Sequence, residues 1–426
     1  MTAPPRPRRS AIVIAFAVVV ILAASAVGGV IGYELAAESS EKGHESLPVR
    51  QPGPSAADSS ATSRPAAIAD KPLRNVILLV GDGMGLSQIA ASRILALGPD
   101  ARFTFERFPT IGLVATHPAD ELVTKSDAAA TALATGFKTR NGRIGMDSSG
   151  RSLPTLIEAL RDGGWATGVA TTSRITDATP ASFLAHVLSR PEENEIALQE
   201  SAARIDFLAG GGRNFFLPRR SPAGVADGRA DGRDLTAEMA ARGVDVVADA
   251  GGLAAAQRLP VAALFSIEPQ KAKPRSPTVD AMAGKALELL SRSGKPFFLL
   301  VEEEEIDTSA HAHEGAKLAA ALQRFDAAVS IAAEFARRDG ATLVLVLADH
   351  ATGGLTIDSA STARELDLSW ASAKHTGEPV PLFAYGPPSA MARFGGMHDN
   401  TEIPRLLAAA LGVSFPAAAT EERERP

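Results

Sequence analysis

Asp307 and His311 stand four residues apart in FFLLVEEEEIDTSAHAH (Phe297–His313), so one helical turn would put a carboxylate and an imidazole on the same face. Asp349 and His350 are adjacent and follow the apolar run ATLVLVL. Neighbours in a strand point to opposite faces. This pair therefore converges only if the strand ends there, and Ala351-Thr352-Gly353-Gly354 supplies the break. His375 lies in KHTGEP, a turn context by its Gly and Pro. Carboxylate and imidazole ligands together suit zinc. Any one of them alone reads more simply as a helix cap or a hydrogen-bonded histidine; that all of them follow buried strands or turns is harder to dismiss.

The elements that would position these groups form an alternating pattern. From Asn75 onward NVILLV, TGVATT, PFFLLV and ATLVLVL are continuous apolar runs of the kind buried on both faces of a parallel sheet. Between them lie helical stretches such as AAATALATG, LPTLIEALRDGG and AKLAAALQRFDAAVSIAAEFARRDG. The alternation predicts an α/β domain with a central, mostly parallel sheet and helices on both faces. The segment from about Arg213 to Glu268 is rich in Gly and Ala and reads as an excursion from the sheet. In such sheets ligands bind beyond the carboxyl ends of the strands, and three of the runs end in acids: Asp82 in GDG, the glutamates after PFFLLV, and Asp349. At one sheet edge these would repel unless cations sit among them. Ser126 opens an Ala-rich helical stretch, SDAAATALATGFK. On spacing alone it reads as an N-cap; the alternative is a nucleophile whose phosphate would meet the positive end of the helix.

Composition narrows the chemistry. The chain has 426 residues, 45% hydrophobic and 22% charged, with a net charge of −6. No basic stretch dominates the body, which argues against a nucleic-acid partner. Cysteine is absent, so disulfides and thiolate sites are excluded and any metal is held by His, Asp, Glu and hydroxyls. Arg6, Arg8 and Arg9 precede an apolar run over 11–33, long enough to span a bilayer, with the arginines placing residues 1–10 in the cytoplasm. Ala24-Ser25-Ala26 also fits the cleavage site of a signal peptide. The apolar character continues past it to Tyr33, which favours an uncleaved anchor. Both readings export the body, as a membrane-anchored domain or as a periplasmic or secreted one. Residues 34–74, rich in Ser, Ala, Pro and charge, read as a flexible tether, residues 75–414 as the folded α/β domain, and 415–426 as a tail.

The motifs NVILLVGDGMG, SDAAATALATGFKTRNGRIGMD, DATPASFLAHVLSR, VEEEEIDTSAH, LADHATGG and KHTG occur in the order of the alkaline phosphatase family, which this chain resembles from Asn75 to about Val413. The resemblance implies that Ser126 is the nucleophile and that the protein hydrolyses phosphomonoesters through a phosphoserine. It implies one zinc on Asp307, His311 and His375, a second on Asp82, Asp349 and His350, and a magnesium on Asp82, Thr179 and Glu302, with Asp177 reaching it through water. Arg190 matches the arginine that grips the phosphate, a task its planar fork suits. Relatives are often dimers, so a homodimer belongs with these expectations. The neighbouring readings are a phosphodiesterase of the same superfamily, which generally lacks the third metal site, and an inactive, metal-stabilised binding or scaffold protein. The C/S-x-P-x-R context of common sulfatases does not occur.

The chain departs from the family in places. Lys125 stands before the nucleophile where relatives commonly carry Asp, and Asp127 follows it. In relatives that aspartate orients the phosphate-gripping arginine, a role that falls here to Asp127 or to no residue. Thr308 replaces a common Lys or His, and Glu303 a common Gly. His44, His117, His186 and His398 read as surface or core residues, and the spacing of His313 puts it on the face opposite His311. Lys125 adds positive charge beside the nucleophile, which strengthens phosphate binding and slows product release. Lys125→Asp is accordingly expected to raise the inhibition constant of inorganic phosphate; an unchanged constant would remove Lys125 from the phosphate site.

Overall fold

The apolar runs become the strands of a ten-stranded sheet. In the computed structural model, which describes residues 42–51, 65–219, 228–266 and 276–416, these are β1 (Asn75–Gly81), β2 (Thr110–Ala115), β3 (Ala166–Arg174), β4 (Phe207–Gly211) and β5 (Asp245–Val247). β6 (Val261–Leu264), β7 (Phe297–Glu303), β8 (Thr342–Leu347), β9 (Val380–Tyr385) and β10 (Gly396–Asp399) complete it. Their order across the sheet is β10-β2-β9-β8-β1-β7-β3-β4-β6-β5. From β8 to β5 all neighbours run parallel; β9 runs antiparallel to both β8 and β2. β1, β7 and β8 are buried at every residue, which is why their sequences show no polar alternation.

Register sets the level at which the strands end. Val80 of β1 lies opposite Glu302 of β7 on one side and Leu347 of β8 on the other. The residues that finish or follow these strands, Asp82, Glu302 and Asp349, therefore emerge together at one edge. Four helices matter to that edge: α1 (Ser126–Thr135), α2 (Ala178–Leu184), α3 (Glu305–His311) and α4 (Gly315–Asp339). α4 packs on the helices Leu86–Leu97 and Val279–Arg292 and ends at Gly340 in the left-handed conformation, φ 74°, where the missing Cβ removes the steric cost.

Two expectations change. The stretch from Arg213 to Glu268 is not an excursion, because within it β5 and β6 extend the main sheet at its edge; runs as short as DVV and VAAL carry too weak a period to read. The tether over 34–74 is not flexible throughout, because Gly43–Pro48 forms a strand pairing antiparallel with Glu365–Trp370 in a three-stranded sheet. Glu45 of that strand accepts a hydrogen bond from the backbone N–H of Gly315 at 2.7 Å, capping the start of α4 with a carboxylate. The apolar run over 11–33 and residues 417–426 lie outside the described residues. Among those described, no helix is long and apolar enough to cross a membrane. Glu45→Ala should lower stability by about 1 kcal/mol, read as a fall in the urea midpoint with an unchanged denaturant slope.

Candidate active site

At the exit of β7 the chain turns into α3, which brings Asp307 and His311 to the same face, with His311 Nε2 3.1 Å from Asp307 Oδ2. His375 arrives from the far segment, its Nε2 3.1 Å from that of His311 and 3.7 Å from Asp307 Oδ1. Both imidazoles are oriented from behind. His311 Nδ1 lies 2.6 Å from the carbonyl of Ala373 and His375 Nδ1 2.9 Å from that of Thr124. A carbonyl only accepts, so each Nδ1 carries a proton. Without a metal the hydrogen bond to Asp307 raises the pKa of His311 and favours its protonated form. In the neutral form, the one that binds a metal, each ring turns a lone pair on Nε2 toward the other. Two such lone pairs repel at 3.1 Å unless a cation lies between them. That distance is close to the spacing of two nitrogens sharing one zinc at roughly 2 Å.

The second group gathers around His350, which is fully buried. Its Nε2 lies 3.2 Å from Asp349 Oδ2 and 3.4 Å from Asp82 Oδ1. Neither Asp82 Oδ1 nor Asp349 Oδ2 accepts a hydrogen bond. Asp82, Asp307 and His350 offer ligand atoms within 4.8 Å of one another, as do Asp307, His311 and His375. Asp307 thus serves both clusters. Thr352 donates to Asp307 Oδ1 and lies 3.3 Å from His350 Nδ1, tying the two together. Gly83, at φ 69°, completes the approach: a Cβ there would meet Asp307 Oδ1 at 2.7 Å and Thr352 Oγ1 at 2.8 Å.

Charge in this space is strongly perturbed. Burial, then the neighbouring Asp349 and Asp307, push Asp82 well above the carboxylate range. Burial and Asp307 raise Asp349 to about 7. Burial raises Glu302 to about 8 against the hydrogen bond it accepts from Thr171, while the buried Thr179 hydroxyl has no hydrogen-bond partner among the described residues. Asp307 goes the other way: burial would raise it, but the hydrogen bond from His311, the one histidine of the cluster whose pKa is raised, holds it below its usual range. Burial holds His350 well below its ordinary value and also lowers His375.

Ser126 is the first residue of α1, whose N-cap is Lys125. Its hydroxyl does not cap the helix; Oγ lies 3.2 Å from His350 Nε2. The simple capping role therefore does not hold. Arg190 donates to Asp177 Oδ1 at 2.6 Å and its Nη1 lies 3.7 Å from Asp127 Oδ2. Asp127 is itself fixed by the backbone N–H groups of Ala128 and Gly142. The absence of an acid at position 125 thus leaves Arg190 held by two others. Asp177 also receives Ser173 and Arg174; burial would raise it, but Arg190 and Arg174 keep it low.

Several contributors carried no readable signal in the sequence. Thr171 donates to Glu302, Thr352 to Asp307, and Ser173 and Arg174 to Asp177. Threonines at strand ends are common, so only the fold singles these out. Glu303, buried, receives the hydroxyl of Thr172 at 3.0 Å and the N–H of Glu305 at 3.2 Å, bracing the turn that sets Glu302 relative to Asp307. Glu305 pairs with Arg324. His313, at φ 56°, stacks on Trp370 with centroids 5.3 Å apart and faces the carbonyl of Ser372, away from the ligand cluster.

The donor set fits divalent cations. Unpartnered buried oxygens on Asp82 and Asp349, and facing Nε2 lone pairs on His311 and His375, are arrangements that a bound cation relieves.

A family profile described as "Alkaline phosphatase" matches residues 73–368. Streptomycin-6-phosphate phosphatase of Streptomyces griseus is 36% identical over 84% of this chain and 94% of its own. Alkaline phosphatase of Escherichia coli K12 is 33% identical over 82% and 88%. The solved alkaline phosphatase of the Antarctic bacterium TAB5 superposes with a TM-score of 0.70 at 31% identity, covering 81% of this chain and 99% of that one. A variant of the TAB5 enzyme carries magnesium in its M3 site.

The raised carboxylates make a prediction about the metal-stripped protein. A group whose folded pKa lies above its unfolded value contributes stability below the unfolded pKa and loses it as pH rises through the folded one. Asp349, at about 7, and Glu302, at about 8, are both of this kind, and Asp82 shifts in the same direction. The chelated protein should lose thermal stability steadily from about pH 5 to about pH 8. Zinc and magnesium, which bind the deprotonated ligands, should restore it most at the alkaline end. Thermal denaturation with and without chelator measures both effects.

Proposed function

The chain belongs to the alkaline phosphatase family of phosphoric monoester hydrolases, and we propose that it cleaves phosphomonoesters through a phosphoserine formed on Ser126. The observation that carries this reading is the buried Ser126 hydroxyl at the N-terminus of α1, 3.2 Å from His350 Nε2 and beside the two ligand clusters.

One zinc would be held by Asp307, His311 and His375, a second by Asp82, Asp349 and His350. A magnesium would take Asp82, Thr179 and Glu302, with Asp177 reaching it through water. When bound, these ions supply positive charge that favours a deprotonated serine and offsets charge on the phosphoryl and leaving oxygens. The chain does the positioning. The positive end of α1, which Ser126 opens, would favour the phosphate's negative charge. Arg190, anchored by Asp177 and Asp127, keeps its remaining N–H donors for two phosphoryl oxygens. Ser126 Oγ forms a bond to phosphorus as the bond to the alcohol oxygen breaks, and the alcohol leaves with a proton. Water then cleaves the Ser126 ester, releasing inorganic phosphate and returning the hydroxyl. Most of the acceleration is electrostatic, since phosphoryl transfer asks for positioning and charge compensation more than for covalent assistance.

Export of the catalytic domain, on an anchor over 11–33 or after its cleavage, is supported by the arginines preceding that run.

With zinc and magnesium supplied, the protein should turn over p-nitrophenyl phosphate faster than bis(p-nitrophenyl) phosphate, and acid quench should trap phosphate on the chain. Ser126→Ala should abolish the trapped phosphate and cut kcat/KM by about 10³-fold or more. Faster diester turnover would favour a diesterase, and metal binding without turnover a scaffold.

A further inference from the structure

We propose that Leu122 and Val123 form the seat of the substrate's alcohol portion, and that the enzyme favours phosphomonoesters of apolar alcohols. The inference rests on the phosphomonoesterase reading above and adds the substrate class to it.

Leu122 is 85% exposed and Val123 38%, a large apolar surface to leave in water three to four residues before the nucleophile. Ile111, Leu113 and Met397 are also exposed, but they belong to β2 and β10 at the end of the sheet. Leu122 and Val123 instead border the ligand cluster. The carbonyl of Thr124 faces His375 Nδ1 at 2.9 Å. At Gly377, two residues beyond that histidine, a Cβ would lie 3.3 Å from the carbonyl of Leu122 and 3.6 Å from Val123 Cγ2. Asn141 clamps the segment from the other side, accepting from the N–H of Lys125 at 2.8 Å and donating to the carbonyl of Val123 at 3.2 Å. These bonds engage the carbonyls of Val123 and Thr124 and the N–H of Lys125. What the rim offers outward at Leu122 and Val123 is apolar side chain on a braced backbone.

The direction of the reaction brings the alcohol to this rim. In-line displacement expels the leaving oxygen opposite the attacking Ser126 Oγ. Ser126 sits against His350, and His375 is stacked on His350 with centroids 3.5 Å apart. On the phosphomonoesterase reading the leaving oxygen lies toward the neighbouring Asp307–His311–His375 cluster, and the alcohol would extend past His375 toward residues 122–124, whose Thr124 carbonyl holds that ring. An apolar alcohol covers Leu122 and Val123, whereas a polyol leaves them wet and gives up its own hydration.

The test compares n-hexyl phosphate with glycerol 1-phosphate, two alkyl esters of similar intrinsic reactivity, on the zinc- and magnesium-loaded full chain. The native enzyme should show the higher kcat/KM for the hexyl ester. Leu122→Ser should lower the hexyl-to-glycerol ratio roughly 5- to 10-fold, the worth of one well-covered aliphatic side chain, and Leu122→Met should recover most of it. The inhibition constant of inorganic phosphate, which has no alcohol, should not follow the ratio. An unchanged ratio in both Leu122→Ser and Val123→Ser, with both esters turned over, would overturn the proposal and leave the phosphomonoesterase reading standing. A fall in sedimentation mass on Leu122→Ser would also overturn it, because a second copy of the chain would then be what covers the rim. Failure of the metal-loaded native protein to hydrolyse either ester would instead strike the phosphomonoesterase reading, and this inference with it.

Discussion

Acidic side chains buried at the ends of neighbouring strands dictate how the rest of this site is built. Asp82, Glu302 and Asp349 leave β1, β7 and the end of β8 at one level because the strands are in register. Two carboxylates about 4 Å apart repel by about 4 kcal/mol at an effective dielectric near 20, and burial adds a desolvation cost to each. Protonation relieves this only up to the raised pKa values, about 7 for Asp349 and about 8 for Glu302. The other relief is a divalent cation, and the histidines fit that role: His311 and His375 are held from behind by carbonyls so that their Nε2 atoms face inward.

The same constraint explains the division of labour among the acids. Asp307 stays ionised chiefly through its hydrogen bond with His311, whereas Asp82 and Asp349 face each other, Asp307 and a His350 that burial keeps neutral. Asp177 and Asp127 are acids of a different kind, committed to Arg190. They neutralise its charge and fix its plane while it waits for phosphate. Asp127 can take part in this anchoring because it lies in the first turn of α1, where the backbone N–H groups of Ala128 and Gly142 hold its carboxylate.

Legibility in the sequence followed the strength of the local signal. Continuous apolar strands ending in acids were readable without coordinates, and so was the four-residue spacing of Asp307 and His311. Arg190 and Thr179 could be singled out only through family resemblance, since neither has a local pattern of its own. Gly43–Pro48 was hidden because GHESLP has no apolar period of its own; it becomes a strand through pairing with Glu365–Trp370 and through the cap that Glu45 places on α4. The four glutamates after PFFLLV read as one acid run. The fold separates them: Glu302 is buried and accepts from Thr171, Glu303 braces the turn through Thr172, and Glu305 pairs with Arg324.

By itself the sequence determined the parallel α/β architecture and the types of side chain available for chemistry, because strand burial and ligand identity are properties of short segments. Tertiary structure decided which of those side chains share a space. Asp307 serves both clusters, Ser126 turns its hydroxyl to His350 instead of to its own helix, and the carbonyl of Thr124 comes to hold His375. Each of these outcomes depends on contacts between residues tens to hundreds of positions apart. Such contacts are set by strand register and by hydrogen bonds such as that between His375 and Thr124, and they leave no periodic trace in the chain.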